Sequence, residues 1–301
     1  MQHSHHHSTP KNYTLAFGIG TALNVIFVIV EAVFGFLSNS LALIADAGHN
    51  LGDVLALLLS WGATYLAQRK PTSTKTYGLR RGTILAAFIS SLILLMTMSI
   101  VAWEAVGRFN APSEVNSTTV IIVAAIGVLI NTVTALLFFS SQSDDLNIKA
   151  AFIHMAADAG VSLGVVIAGI AIMFTGLLWI DPMISLLIVI VIVISTWSVF
   201  RDSFNLAMDG VPKGINIEEV RSFILKQDGI IEIHDLHIWA MSTTQVALTA
   251  HLVRDSNAID DKFLHRLSKE LEEQFNIIHP TIQIESGRQA DLCDQAHQDS
   301  I

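Results

Sequence analysis

The sequence predicts an α-helical membrane protein with six transmembrane helices, followed by a small α+β domain. Three observations carry this reading. The 301 residues are 52% hydrophobic and only 14% charged, against roughly 25% charged in soluble domains. The apolar residues gather into six long runs, and past residue 208 the pattern changes to short alternating and amphipathic segments. The acidity lies in that last part: residues 213–301 hold 8 Lys or Arg against 15 Asp or Glu, most of the formal charge of -9. An acidic domain on an apolar body argues against nucleic acid as a partner. The lone Cys293 excludes an intrachain disulfide and any CxxC metal site.

Residues 1–11 form a polar tail whose His3, His5, His6 and His7 read either as a metal-scavenging tract or as part of an expression tag. No secretory signal is expected, because the next apolar run is too long for an h-region and lacks a small-residue cleavage pattern. Residues 12–207 form the membrane domain, with helices predicted at 13–37, 41–67, 82–107, 117–140, 148–176 and 182–204. Each run has the roughly 20 residues needed to cross the hydrocarbon. Arg69, Lys70, Lys75, Arg80 and Arg81 follow the second helix and Lys149 the fourth, while the opposite side has only Arg108. The positive-inside rule therefore places both termini in the cytoplasm, as the even helix count requires. The single Cys and compact loops suit a bacterial inner membrane, with an organelle membrane as the alternative.

Beyond Met208 the cytoplasmic domain, 208–287, reads as a helix at 216–227, strands at 230–239 and 244–253, a charged helix at 259–275 and a strand at 280–285. This α-β-β-α-β order suits helices packed on one face of a sheet. Residues 288–301 are predicted to be a disordered polar tail.

Within the apolar runs the pair HxxxD occurs twice, as His49 with Asp53 and His154 with Asp158. Positions four apart share one helix face, so each pair presents an imidazole and a carboxylate side by side. One ionised Asp at a helix centre costs about 2.5–3.5 kcal/mol, a penalty that a bound divalent cation removes. With both termini inside, the second and fifth helices run antiparallel, and the two pairs can surround one point. Two imidazoles and two carboxylates make a tetrahedral zinc set that also accepts cobalt or cadmium, while the absence of thiols disfavours monovalent copper.

A single pair would be explained as well by helix-to-helix hydrogen bonding. The repetition 105 residues apart favours metal. Asp46 shares the face of His49 and Asp53, as an acceptor for a metal-bound imidazole, a proton relay or a ligand. Asn24, Glu31 and Asn131 read as interhelical hydrogen-bonding groups or as part of a permeation path, and Glu104 as interfacial. No HExxH is present and no nucleophile lies beside a base, so an enzyme is not expected.

These residues bring the chain close to a known family. SNSLALIADAGHNLGDV at 38–54, YGLRRGTILAAF at 77–88, AAFIHMAADAGVSLGVV at 150–166, IDP at 180–182, GVP at 210–212, HDLHIWAMS at 234–242 and HPTIQIE at 279–285 resemble the cation diffusion facilitator family, in its zinc-type branch. The resemblance spans about residues 12–287. It implies a homodimeric zinc–proton antiporter with a metallochaperone-like cytoplasmic domain, in which His234, His251 and Glu285 bind cytosolic zinc and His237 and His279 serve a second site. Strand alternation places His234 and Leu236 on one face and Asp235 and His237 on the other. His265, on the charged helix, is not expected to ligate.

Departures from the family matter as well. Gly82-Thr83 stand where many members carry an acidic residue, and the loop PTSTKTYGLRR has no His or acid, so no loop metal site is expected. The QSDDLN link is short, leaving the N-terminal histidines as the only candidate scavenger. Metal requires deprotonated ligands, so binding at His49 and His154 would expel protons, which gives antiport a physical basis. The competing readings are a membrane zinc sensor with a structural intramembrane metal, and a family member whose main substrate is another divalent cation.

Overall fold

The computed structural model describes residues 12–139, 146–254 and 261–286. The His-rich start, residues 142–145 of the QSDDLN link and the tail from residue 287, with Cys293, lie outside them. Six long helices come first: α1 (Asn12–Ser38), α2 (Leu41–Ala67), α3 (Gly82–Asn110), α4 (Ser117–Phe139), α5 (Leu146–Thr175) and α6 (Ile180–Ala207). All end within three residues of the predicted bounds. The chain packs as two units. One is the chain up to Leu55 with Ile93–Thr196, and the other is Ala56–Leu92 with the chain from Trp197 onward.

In the first unit α5 lies along α4, and α4 along α1. Their shared core includes Phe27, Leu43, Leu94, Met98, Val123 and Val165. The helices approach closely where a side chain is absent. A Cβ on Gly127 would stand 2.6 Å from Phe27 Cζ and 3.2 Å from Ser162 Oγ, so α1, α4 and α5 meet over that glycine. Outside the core, Ile100, Trp103 and Phe174 are exposed, the surface that a bundle presents to lipid.

One end of this unit is closed by a polar clamp. Asn39, in the left-handed region (φ 53°), turns the chain from α1 into α2. Asp181 at the start of α6 accepts from Ser40 Oγ and from the N–H groups of Leu41 (2.8 Å) and Ala42 (3.3 Å). It therefore caps the N-terminus of α2 from another helix, satisfying donors that have no partner within α2. Arg108 of α3 donates to Asn39 O (2.6 Å) and Asn39 Oδ1 (2.9 Å), and its Nη1 lies 3.8 Å from Asp181 Oδ2. The single basic residue that marked this side in the sequence is thus a buried structural ion.

In the second unit the polar domain comprises α7 (Ile217–Leu225), β1 (Ile230–Ala240), β2 (Val246–Arg254), α8 (Asp261–Phe275) and β3 (Ile277–Ser286). Asn216 caps α7 by accepting the Glu218 N–H at 3.0 Å. The sheet order is β1-β2-β3, with β1 and β2 antiparallel and β2 and β3 parallel. Parallel neighbours need a crossover, which α8 provides. Val220 and Ile224 of α7 and Phe263, Leu267 and Leu271 of α8 pack on Ile233, Leu236, Leu248 and Leu252, so both helices cover one sheet face. Two details differ from the predicted pattern. β3 starts at Ile277 rather than 280, with Pro280 inside it, as an edge strand allows. Asp235 adopts φ 50° and the β1–β2 register shifts between His234 and His237. This bulge inserts one residue, so Ile233 and Leu236 both enter the core. His234 therefore lies on the face opposite Leu236, correcting the expectation that the two share a face.

The clamp makes a direct prediction. Asp181→Ala leaves Arg108 and the α2 N-terminus without their buried acceptor and should destabilise the protein by about 3 kcal/mol, read as a lower thermal unfolding midpoint in micelles. An unchanged midpoint would remove Asp181 from this role.

Candidate metal centres

α2 and α5 meet through side chains in cross-helix rungs. Asp46 faces Ser162, His49 faces Asp158 and Asp53 faces His154, the order that antiparallel helices impose. His49 Nε2 lies 3.4 Å from Asp158 Oδ1 and 3.6 Å from Asp53 Oδ2. His154 Nε2 lies 3.3 Å from Asp53 Oδ2 and 3.7 Å from Asp158 Oδ2. All four predicted residues are brought together, and each imidazole touches both carboxylates. These separations exceed a charge-assisted hydrogen bond of about 2.8 Å. They match the edge of a tetrahedron, about 3.3 Å when ligands stand about 2.0 Å from zinc. Asp53, His154 and Asp158 place three ligand atoms within 4.8 Å of one another; His49 stands outside that group, 6.1 Å from the His154 ring between centroids, while approaching both carboxylates. Access is one-sided: the Asp158 side chain is 3% exposed and His49 15%, against 30% for Asp53 and 44% for His154.

Asp46 does not bond His49, whose Nδ1 is buried without a hydrogen-bond partner. Its Oδ2 accepts from Ser162 Oγ (2.8 Å) and its carboxyl faces Glu31, which accepts from Asn50 Nδ2 at 3.2 Å. Glu31 and Asp46 are fully buried. Ser162 and Asn50 escaped the sequence reading although each follows a singled-out acid, Asp158 or Asp46, by four residues and so shares its helix face. Asn24 Nδ2 reaches Met155 Sδ at 3.8 Å. Asn131 is buried, with neither amide atom partnered among the described residues. Glu104 is exposed and reaches Arg108 at 3.4 Å.

The second cluster occupies the sheet face that the helices leave open. His234 pairs in register with His251, and Glu285 sits opposite Val253 on β3. His251 Nδ1 is 2.9 Å from Glu285 Oε1, His234 Nε2 is 3.4 Å from Glu285 Oε2, and the two rings are 5.3 Å apart. His234 is only 6% exposed, yet neither ring nitrogen has a hydrogen-bond partner. A buried imidazole so placed lacks a ligand, and a cation held with His251 and Glu285 would supply one. The bulge creates this geometry by turning His234 out of the core.

The other two predicted histidines are not brought together. His237 pairs with Asp235 at 2.9 Å, while His279 stands edge-on to Tyr77 at 5.6 Å. No contact joins them among the described residues. His265 is exposed on α8.

Known proteins match this chain along nearly its whole length. The family described as "Cation efflux transmembrane domain" matches residues 19–206, and "Cation efflux protein, cytoplasmic domain" matches residues 212–287. The chain is 36% identical over 297 residues to the metal cation efflux system protein CzcD of Cupriavidus metallidurans, covering 98% of this chain and 93% of that protein. It is 35% identical over 291 residues to a cadmium, cobalt and zinc/H(+)-K(+) antiporter of Bacillus subtilis, covering 95% and 92%. Zinc transporter ZitB of Escherichia coli is 33% identical over 295 residues, covering 95% and 93%.

Proposed function

The chain belongs to the cation efflux family and is a membrane transporter rather than an enzyme, and from that premise we propose that it exports zinc, with cadmium or cobalt as further substrates, in exchange for protons. The observation that carries this reading is the crossed contact of His49, Asp53, His154 and Asp158, at 3.3–3.7 Å between imidazole and carboxylate. Relatives named for zinc, cadmium and cobalt support the substrate class, and one named for exchange against H(+) supports the coupling.

In this mechanism the cation enters between α2 and α5 at the Asp53–His154 edge, the accessible side. It takes nitrogen from both imidazoles and oxygen from both carboxylates, so both imidazoles must be neutral. Protons arriving from the outer side charge the imidazoles, which then hold the carboxylates and release the metal. One site thus serves metal and proton in turn, and alternating access follows from competition for it. Asp46 acts behind the site by fixing α2 against Ser162 of α5 and by receiving protons. His234, His251 and Glu285 form a separate cytosolic metal site. Zinc there favours the homodimer and biases the helices. Residues 12–207 span the inner membrane, 208–287 are cytoplasmic, and the tails 1–11 and 288–301 lie on the same side.

Three measurements test this reading. In proteoliposomes, Asp53→Ala or Asp158→Ala should reduce zinc flux at least about 100-fold, from loss of a charged ligand, and collapsing an imposed proton gradient should slow the wild type. Flux indifferent to both would sink the proposal, and zinc retained without flux would make the metal structural.

Binding at the membrane site should weaken as pH falls. Each imidazole must shed its proton to ligate, so lowering the pH from 7.5 to 5.5 should reduce affinity, by at most about tenfold per imidazole for each pH unit. Isothermal titration on a His234→Ala, His251→Ala background isolates that site.

On the full chain, His234→Ala with Glu285→Ala should lower bound zinc by about one ion per protomer while leaving the membrane site filled, as counted by elemental analysis. Unchanged zinc content would dismiss the cytosolic site alone.

A further inference from the structure

A basic cavity lies in the second unit where the α2–α3 loop meets the C-terminal sheet. Its volume is about 810 Å³, and its lining includes Lys75, Tyr77, Arg80 and Arg81 from the loop and His237 and Trp239 from β1. Three contacts dock the loop and the first turn of α3 there. Tyr77 stands edge-on to His279, Thr83 Oγ1 accepts the Thr243 N–H at 3.1 Å, and Arg81 pairs with Asp209.

The cavity has more positive charge than its own acids neutralise. Arg81 has Asp209, and His237 has Asp235. Lys75 and Arg80 have no carboxylate partner among the described residues, although Arg80 is half-buried. Withdrawing a guanidinium from water without a counter-ion is costly, and Asp209, the one acid in the lining, is already used. The space is that of a small-molecule site, typically about 300–1,000 Å³, so it holds more than a simple ion. Its position narrows the ligand further. The loop joins the ends of α2 and α3, and Asp209 follows α6, so the cavity adjoins the ends of long apolar helices, where basic pockets take lipid phosphate. The Arg fork matches phosphate oxygens, and Tyr77 and Trp239 suit an interface where one end is apolar and the other wet.

We propose that this cavity binds a phosphate ester anion, held by Arg80 and Lys75, and that the headgroup of an anionic phospholipid supplies it. Bound there, the headgroup would bridge the loop and β1.

The test uses the full chain in detergent micelles. Phosphatidylglycerol and phosphatidylcholine of equal acyl length are added together, and retained lipid is counted by native mass spectrometry. Phosphatidylglycerol should be retained about tenfold over phosphatidylcholine. Arg80→Gln with Lys75→Gln should bring that ratio near one, while Arg69→Gln with Lys70→Gln, on the same loop but outside the cavity, should leave it unchanged. In a second arm glycerol 3-phosphate is added in place of lipid; binding that depends on Arg80 and empties the lipid assigns the same site to a soluble phosphate ester. Retention unaffected by the Arg80 and Lys75 changes, or lost equally with Arg69 and Lys70, overturns the proposal.

Discussion

Holding two carboxylates inside an apolar helix bundle is the constraint around which the membrane part is arranged. Asp53 and Asp158 each meet both imidazoles, and in each case one of the two imidazoles belongs to the other helix. Their neutralisation therefore depends on the register of α2 against α5. A slip of one helical turn, about 5.4 Å, exceeds every one of these contacts and would break the crossed pairs together. Small elements fix that register. The Asp46–Ser162 rung continues the ladder by another turn, Gly127 lets α1 and α4 close on α5, and Asp181 with Arg108 ties the start of α2 to α3 and α6. A packed interface with discrete registers switches between arrangements rather than deforming smoothly, which suits the alternating access proposed for it.

Much of this was legible because it follows local rules. An i,i+4 pair lies on one helix face whatever its surroundings, so each HxxxD announced itself, and long apolar runs fixed the helices. What stayed hidden depends on partners far along the chain. Arg108 read as a topology marker, yet it is buried against Asn39 and near Asp181, residues 69 and 73 positions away in the sequence. Asp46, read as an acceptor for His49, a proton relay or a ligand, takes its hydrogen bond from Ser162. The face of His234 was misread for a different reason. Alternation counts residues, and a bulge at Asp235 adds one without any Gly or Pro to mark it.

The two clusters use similar donors on supports of different stiffness. His234, His251 and Glu285 project from three strands of one hydrogen-bonded sheet, and their spacing is fixed by the ladder itself. The membrane cluster hangs from two helices joined only through side chains. A sheet-borne site can hold a cation as a fixed strut, whereas a site shared by two helices opens when they part. The difference in support suits the two proposed roles, a fixed cytosolic site and a transport site, on mechanical grounds, before any appeal to the kinds of atom involved.

Donor chemistry then limits which cation fits the membrane cluster. Ions that demand an octahedron of oxygens, such as magnesium, need near-ideal geometry and keep several waters. Here Asp158 presents one oxygen to each imidazole, and Asp53 turns the same oxygen to both. The compact arrangement that results is two nitrogens and three carboxylate oxygens, each nitrogen within 3.3–3.7 Å of two of them. Such a set suits a borderline-soft ion without geometric preference, the class to which the proposed substrate zinc belongs. Because no thiolate adds affinity, the proposed exchange would need only that imidazole regain a proton, with the carboxylates left behind held by the imidazolium groups so formed. On that proposal, the contacts that stabilise the empty site would be the same contacts that expel the metal.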